Sequence, residues 1–334
     1  MKNMASSQPV NNCKSNQVSS FTEADATQSG HLADRIFKIL AWTAGIVIFV
    51  ALAAVTLFLI LRALPAFTGS PADRASALDA LSGGRVTSFL AYVGPLLFGT
   101  VIIAGLSLLV AFPISVGIAL FITHYAPRKL STLLSSVIDL LAAIPSVVYG
   151  LWGALIVVPA ITGFWAWVAH YLGWIPLFSG PVAAPARSVA TVALVLAVMI
   201  VPIITSVARD ICAQAPRLQQ EAALALGATK WETIRLAVLP FAKSGLISAS
   251  MLGLGRALGE TMAVLMILSP GFSYSLHLLR ASTSQTIAAN IASQFPEANA
   301  MGVASLIATG LVLFLITFLV NFIARRITGK GSSK

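Results

Sequence analysis

The segment Glu221-Ala222-Ala223-Leu224-Ala225-Leu226-Gly227-Ala228-Thr229-Lys230-Trp231-Glu232-Thr233-Ile234-Arg235-Leu236-Ala237-Val238-Leu239-Pro240 decides the fold of this chain. Pro216, just ahead of it, suits the first turn of a helix, where the N–H that proline lacks would have no partner anyway. That helix is expected to run through Leu226. Gly227 then stands one position past the helix end, where the backbone needs a positive φ. Thr229 and Glu232 have the spacing of a capping box, in which each side chain serves the other's backbone N–H, so a second helix starts at once. Pro240 is expected to end or bend it. The result is a short helix–turn–helix whose small residues Ala222, Ala223 and Ala225 allow another surface to come close.

The chain on either side is too apolar for a soluble protein. Of 334 residues, 57% are hydrophobic and 10% charged, against about 25% charged in a soluble domain; the mean hydropathy is +0.90. An all-α integral membrane protein follows, because a bilayer is crossed by helices of roughly 20 apolar residues. Six spans are expected: Ile39–Leu61, Tyr92–Ile122 with a kink at Pro113, Leu133–Val158, Ser188–Ala208, Ser244–Leu268 and Gly302–Ala324. The stretch Ile161–Arg187 holds Trp165, Trp167, Trp174, Tyr171 and several Pro and Gly residues, and reads as an aromatic segment at the membrane interface rather than a seventh span.

Charge decides the count. With six spans and the N-terminus inside, 15 Lys and Arg residues lie inside and 5 outside, whereas seven spans give 8 inside and 12 outside. The positive-inside rule selects six, with both termini cytoplasmic. The net charge of +10 is therefore an orienting charge and not a nucleic-acid footprint. The expected layout is a disordered cytoplasmic tail over 1–33, a first span within 34–64, an external loop over 65–87, a core of five spans over 88–325 containing the cytoplasmic loop 209–243, and a basic tail over 326–334.

Three ionisable residues fall inside these spans: Asp139, Arg256 and Glu260. A charge at the bilayer centre costs about 2.5–3.5 kcal/mol on insertion scales, so such groups face a cavity or one another. Asp139 is expected about 10 Å into the third span and Arg256 about 20 Å into the fifth. Arg256 and Glu260 are spaced to share one helix face. They form either a structural ion pair or part of a permeation path, with Arg256 meeting an anion and Glu260 controlling it. An Arg fork suits a phosphate-like oxyanion. Pro145 and Ser146 read as a helix kink whose hydroxyl can bond a backbone carbonyl.

Other chemistry finds no support. No phosphate-cradling P-loop is present, and Gly253, Gly255 and Gly259 follow no strand, so they read as close-packing positions. Cys13, Cys212 and the four His residues have no metal or redox spacing, no set of hydrolase residues is legible, and no resident cofactor is expected.

The hairpin resembles the EAA motif of ABC importer permeases, EAA-x3-G-x9-I-x-LP, through Glu221, Ala222, Ala223, Gly227, Leu239 and Pro240, with Ala237 where the motif has isoleucine. Two further stretches, Leu141 to Gly153 (with Pro145, Ser146, Tyr149, Gly150 and Trp152) and Met251 to Val264 around Arg256 and Glu260, resemble phosphate permeases of the PstC type. The similarity runs from about residue 88 to 325. It implies a type I ABC importer (MetI-like) permease fold in the bacterial inner membrane. It implies as partners a second permease subunit of the PstA type, a dimer of PstB-type ATPase subunits that bind the ATP and Mg, and an external PstS-type phosphate-binding protein. The resemblance implies that the EAA residues couple to the ATPase and that Arg256 and Glu260 matter for phosphate passage; Asp139 and Ser146 are expected beside them along the substrate path or its gate on the reading of the residues alone. The residues by themselves leave open another oxyanion or small solute, a protein that only reports phosphate supply, and an ion-coupled secondary transporter. The last is disfavoured by the lack of an internal repeat.

Overall fold

The computed structural model describes residues 23–329, with side-chain surroundings for residues 34–326. The described residues are helical without strands, and six helical segments are long and apolar enough to cross a membrane. These are Asp34–Thr68, Phe89–Tyr125, Ser146–Leu172, Val189–Ala213, Lys230–Leu258 and Ala300–Arg326. The expected tail over 1–33 lies outside the described residues as far as residue 22; the backbone is already helical from Glu23. The last residues of the expected basic tail, from Lys330, also lie outside them.

The chain forms two units, divided between Phe58 and Leu59. The first is most of α1 (Glu23–Ala63), whose large apolar side chains between Ile36 and Phe58, among them Phe37, Trp42 and Phe49, are exposed. A helix apolar on every side is built for non-aqueous surroundings.

The second unit is organised around three helices. These are α4 (Phe89–Leu120), α8 (Val189–Ala213) and α11 (Leu239–Leu258). Small residues let them approach closely, as lipid gives no hydrophobic drive for association. Ala104 and Ala111 of α4, Ala197 and Ala208 of α8, and Ala249 and Ala257 of α11 are buried. A Cβ on Gly253 would come 2.6 Å from Ile204, and one on Gly245 would come 2.7 Å from Ile211. These contacts set α11 antiparallel to α8. Ser115 of α4 adds a hydrogen bond from its Oγ to the Val201 carbonyl at 3.1 Å.

At one end lie α2 (Pro65–Thr68), α3 (Pro71–Ser82), α12 (Met262–Ile267), α13 (Ile287–Gln294) and the start of α14 (Ala300–Gly329). Leu78 and Leu81 of α3 pack with Tyr92 and Leu96 of α4, Ile287 of α13 and Leu306 of α14. Asn290 donates to the Tyr92 hydroxyl at 2.6 Å, and the Ile287 N–H donates to Thr100 Oγ1 at 3.0 Å. At the opposite end lie α5 (Arg128–Ala142), α9 (Arg217–Ala225) and α10 (Lys230–Thr233).

The third span differs from the expectation. It is Ser146–Leu172, built from α6 (Ser146–Trp152), a wide π turn over Gly153–Val157 and α7 (Val158–Leu172), whereas residues 128–142 form the separate helix α5. Hydropathy alone joined the two, but Pro145 is extended (φ −59°, ψ 139°) and breaks the path between them. The aromatic residues Trp165 and Trp167 therefore lie inside a span and not in an interfacial segment. Trp165 Nε1 donates to Thr191 Oγ1 at 2.9 Å and docks α7 on α8. The fifth span likewise starts and ends earlier than expected: α11 stops at Leu258, and Met262–Ile267 is the separate helix α12.

Candidate functional site

The hairpin forms by local rules. α9 ends in Gly227 with φ +86°; the Gly227 N–H donates to the Leu224 carbonyl at 2.9 Å and the Ala228 N–H to the Ala223 carbonyl at 3.1 Å. These two bonds satisfy carbonyls that the helix end leaves open. Thr229 and Glu232 close a capping box: the Thr229 N–H donates to Glu232 Oε2 at 2.7 Å, and the Glu232 N–H donates to Thr229 Oγ1 at 3.3 Å. Pro240, expected to end or bend the second helix, does not end it. A π turn over Ile234–Val238 widens the backbone just before it and makes room for the ring, so one helical segment of 29 residues runs from Lys230 to Leu258. By helical rise it is about 43 Å long.

The two faces of the hairpin differ. Ile234 and Val238 pack on Ala208, Cys212 and Ala215 of the α8 end and on Ala119 and Leu120 of α4. Leu239 is half-buried and Pro240 exposed. α9 buries no residue: Glu221 and Ala222 are exposed, Ala223 is half-buried, and Leu226 is 90% exposed with Leu218 and Trp231 also bare. Large apolar side chains left bare on a polar loop make this face a candidate contact surface for a partner or for the membrane.

The four residues expected along the path do not come together. Asp139 is on α5, outside any span, where its carboxylate pairs with Arg209 (Nη1–Oδ2 3.3 Å); Arg209 Nε also meets Asp210 Oδ1 at 3.0 Å. Arg209 lies near the depth at which Ile211 meets Gly245. Arg256 is eleven residues further along α11, about 16 Å by helical rise. Ser146 opens α6 half-buried; the bond that ties the chain across the break comes instead from Tyr149, whose hydroxyl donates to the Leu141 carbonyl at 3.1 Å.

Arg256 and Glu260 form no ion pair, because the helix breaks between them. Arg256 is exposed on the last turn of α11. Glu260 is 6% exposed and accepts a hydrogen bond from the Ala263 N–H at 3.1 Å, at the start of α12. Glu260 thus fixes α12, which packs on α6 so tightly that a Cβ on Gly150 would come 2.8 Å from Ala263 Cα. Glu260→Gln keeps an acceptor for that N–H, whereas Glu260→Ala leaves the N–H bare at a cost of about 1–3 kcal/mol. The expected result is a lower thermal midpoint in detergent for the Ala variant than for the Gln variant.

Arg256 lines a cleft of about 690 Å³ between α11, α8 and α14, with Ile203, Ser248, Met251, Gly255, Asn321 and Arg325. Its lining holds two arginines and no carboxylate. Two clefts at the α3 end include Glu297, and one beside the α8 end includes Asp210. Gly255 departs from the expected close-packing role: a Cβ there would meet nothing within 4 Å and the residue lines the cleft, whereas Gly253 does pack closely, on Ile204. Asn321 and Arg325 were not singled out from sequence. The available signal was a lone amide in an otherwise apolar last span.

Comparison with known proteins gives consistent matches. Residues 111–329 match the family model described as binding-protein-dependent transport system inner membrane component. The chain is 42% identical to phosphate transport system permease protein PstC 2 of Mycobacterium bovis, over 89% of this chain and 92% of that one. It is also 42% identical to phosphate transport system permease protein PstC of Mycobacterium leprae, over 89% and 93%. Its fold is similar to the crystal structure of a bacterial ABC transporter involved in the import of the acidic polysaccharide alginate, with a TM-score of 0.58, 16% identity and coverage of 90% of this chain and 99% of that one.

Proposed function

The chain belongs to the binding-protein-dependent transport system inner membrane components, and from that premise we propose that it is the membrane-spanning subunit of an ATP-driven importer of inorganic phosphate. It is a multi-pass inner membrane protein with a MetI-like helical fold. The hairpin end faces the cytoplasm with both termini, and the α3 end faces outward. ATP and Mg are bound and ATP is hydrolysed on a separate PstB-type ATPase dimer. A PstA-type permease completes the conduit, and a PstS-type binding protein delivers phosphate to the outer face.

The observation that carries this reading is a single rod with an exposed hairpin at one end and a cation at the other. Lys230–Leu258 is continuous from the exposed hairpin to Arg256 in the acid-free cleft. Closure of the ATPase dimer moves Glu221, Ala222, Ala223, Gly227, Leu239 and Pro240 as a unit, and the rod delivers that motion to Arg256. The cleft opens alternately to either side. Arg256 donates its fork to the phosphate oxygens, and the separation of Glu260 leaves that fork unspent. Glu260 acts on the gate through α12. Asp139 acts through Arg209, which ties α5 to the α8 end beside the hairpin. Ser146 opens the helix against which α12 rests.

Phosphate uptake by cells that depend on this chain tests the substrate. Uptake should be abolished by deletion of the gene, and excess sulfate should leave it unchanged. Equal competition by sulfate would replace phosphate with a broader oxyanion class.

A further inference from the structure

We propose that Asn321 and Arg325 of α14 form the inner half of the oxyanion path, a second anion-holding position between Arg256 and the cytoplasm. The proposal rests on the reading of Arg256 as a path residue and extends it to a second helix.

Three observations carry it. First, Asn321 and Arg325 line the same cleft as Arg256 and Ser248, and nothing acidic lines it with them. Second, the cleft extends toward the hairpin end. Ser248 lies on α11 between Gly245 and Gly253, which meet Ile211 and Ile204 of α8; it is about 12 Å from Arg256 by helical rise. α14 starts against α3, with a Cβ on Gly302 3.8 Å from Leu81, and its far end carries Arg325. Third, Asn321 and Arg325 are four residues apart on one helix face, and both are exposed. A primary amide in an apolar span belongs against a water-filled cavity.

Arg326 shows that the neighbouring basic residue is turned to a different task. Its guanidinium lies 5.2 Å from the centre of the Phe322 ring. Arg326 is therefore turned to the membrane flank, while Arg325 is among the residues that line the cleft. The chemistry suits a conduit. The Asn321 amide donates two hydrogen bonds without a charge that would pin the anion. Arg325 then draws it toward the exit, where weak, divided binding lets it leave.

The test uses the complete transporter, both permease subunits with ATPase and binding protein, reconstituted in liposomes with inorganic phosphate as the probe. Asn321→Asp places a carboxylate in the path and should lower uptake about tenfold or more. The loss should deepen as rising pH converts phosphate from monoanion to dianion, a trend that a packing defect would not produce. Arg325→Gln should lower uptake about fivefold and Arg326→Gln by less than about twofold, although each removes one charge from the same helix end. Equal losses for Arg325→Gln and Arg326→Gln would mean a shared orienting role and would overturn the proposal. So would wild-type uptake in Asn321→Asp. Should Asn321→Asp fail to assemble, Asn321→Leu must itself lower uptake in an assembled complex, or the proposal falls. If Arg256→Gln is also harmless, the path reading itself has failed; if Arg256→Gln blocks uptake and the α14 variants do not, only this extension has.

Discussion

Arg256→Gln is expected to lower ATP-driven phosphate uptake by about 100-fold or more, with the complex still assembled. The guanidinium is exposed in the cleft and shares its lining with no carboxylate, so its two-pronged donation is available to the substrate. A hydrogen bond to a charged group is worth about 1.5–3 kcal/mol, and glutamine loses the charge as well as the fork. Arg256→Lys keeps the charge and loses the paired geometry, so its loss should be smaller, about tenfold. The protein should remain equally stable, since Arg256 forms no ion pair with Glu260 or any other described carboxylate. Unchanged uptake in Arg256→Gln would remove the residue from the path.

Leu226→Asp is expected to separate the chain from its ATPase. Leu226 is 90% exposed and supports nothing within the fold. Burying one such side chain is worth about 1.5–3 kcal/mol, and an aspartate there would also carry an unpaired charge into the contact. Co-purification of the ATPase should fall about 100-fold and uptake with it, while the permease keeps its thermal midpoint. Gly227→Val reaches the same end by another route. A valine Cβ would meet no neighbour, but φ +86° is a conformation that a β-branched residue adopts only with strain. That variant should dock weakly because the turn opens. Normal docking by both variants would place the ATPase contact elsewhere.

What could be read from the sequence depended on the range of the forces involved. The hairpin was legible because its helix start at Pro216, positive φ at Gly227 and capping box at Thr229 and Glu232 are decided within a few residues. The number of spans was legible because apolar length and the bias of Lys and Arg are summed properties. The limits of the third and fifth spans were not. Hydropathy runs on across the breaks at Pro145 and at Gly259, where the backbone changes direction without any change in polarity. The same break separates Arg256 from Glu260, whose spacing predicts a shared face only if the helix continues. Asp139 reads from sequence as an intramembrane charge because α5 is apolar on one side; its partner, Arg209, is 70 positions away. The cleft depends on α14 packing beside α11, a contact across some 70 residues that no local pattern encodes.

On the function proposed above, this chain is a gate moved from the cytoplasm by nucleotide hydrolysis on another subunit. Phosphate flux into liposomes holding both permease subunits, measured with and without the ATPase in the presence of ATP, Mg and binding protein, tests it most directly. Uptake is predicted only when the ATPase is present and ATP is hydrolysed. Phosphate accumulation in vesicles without the ATPase would contradict the claim.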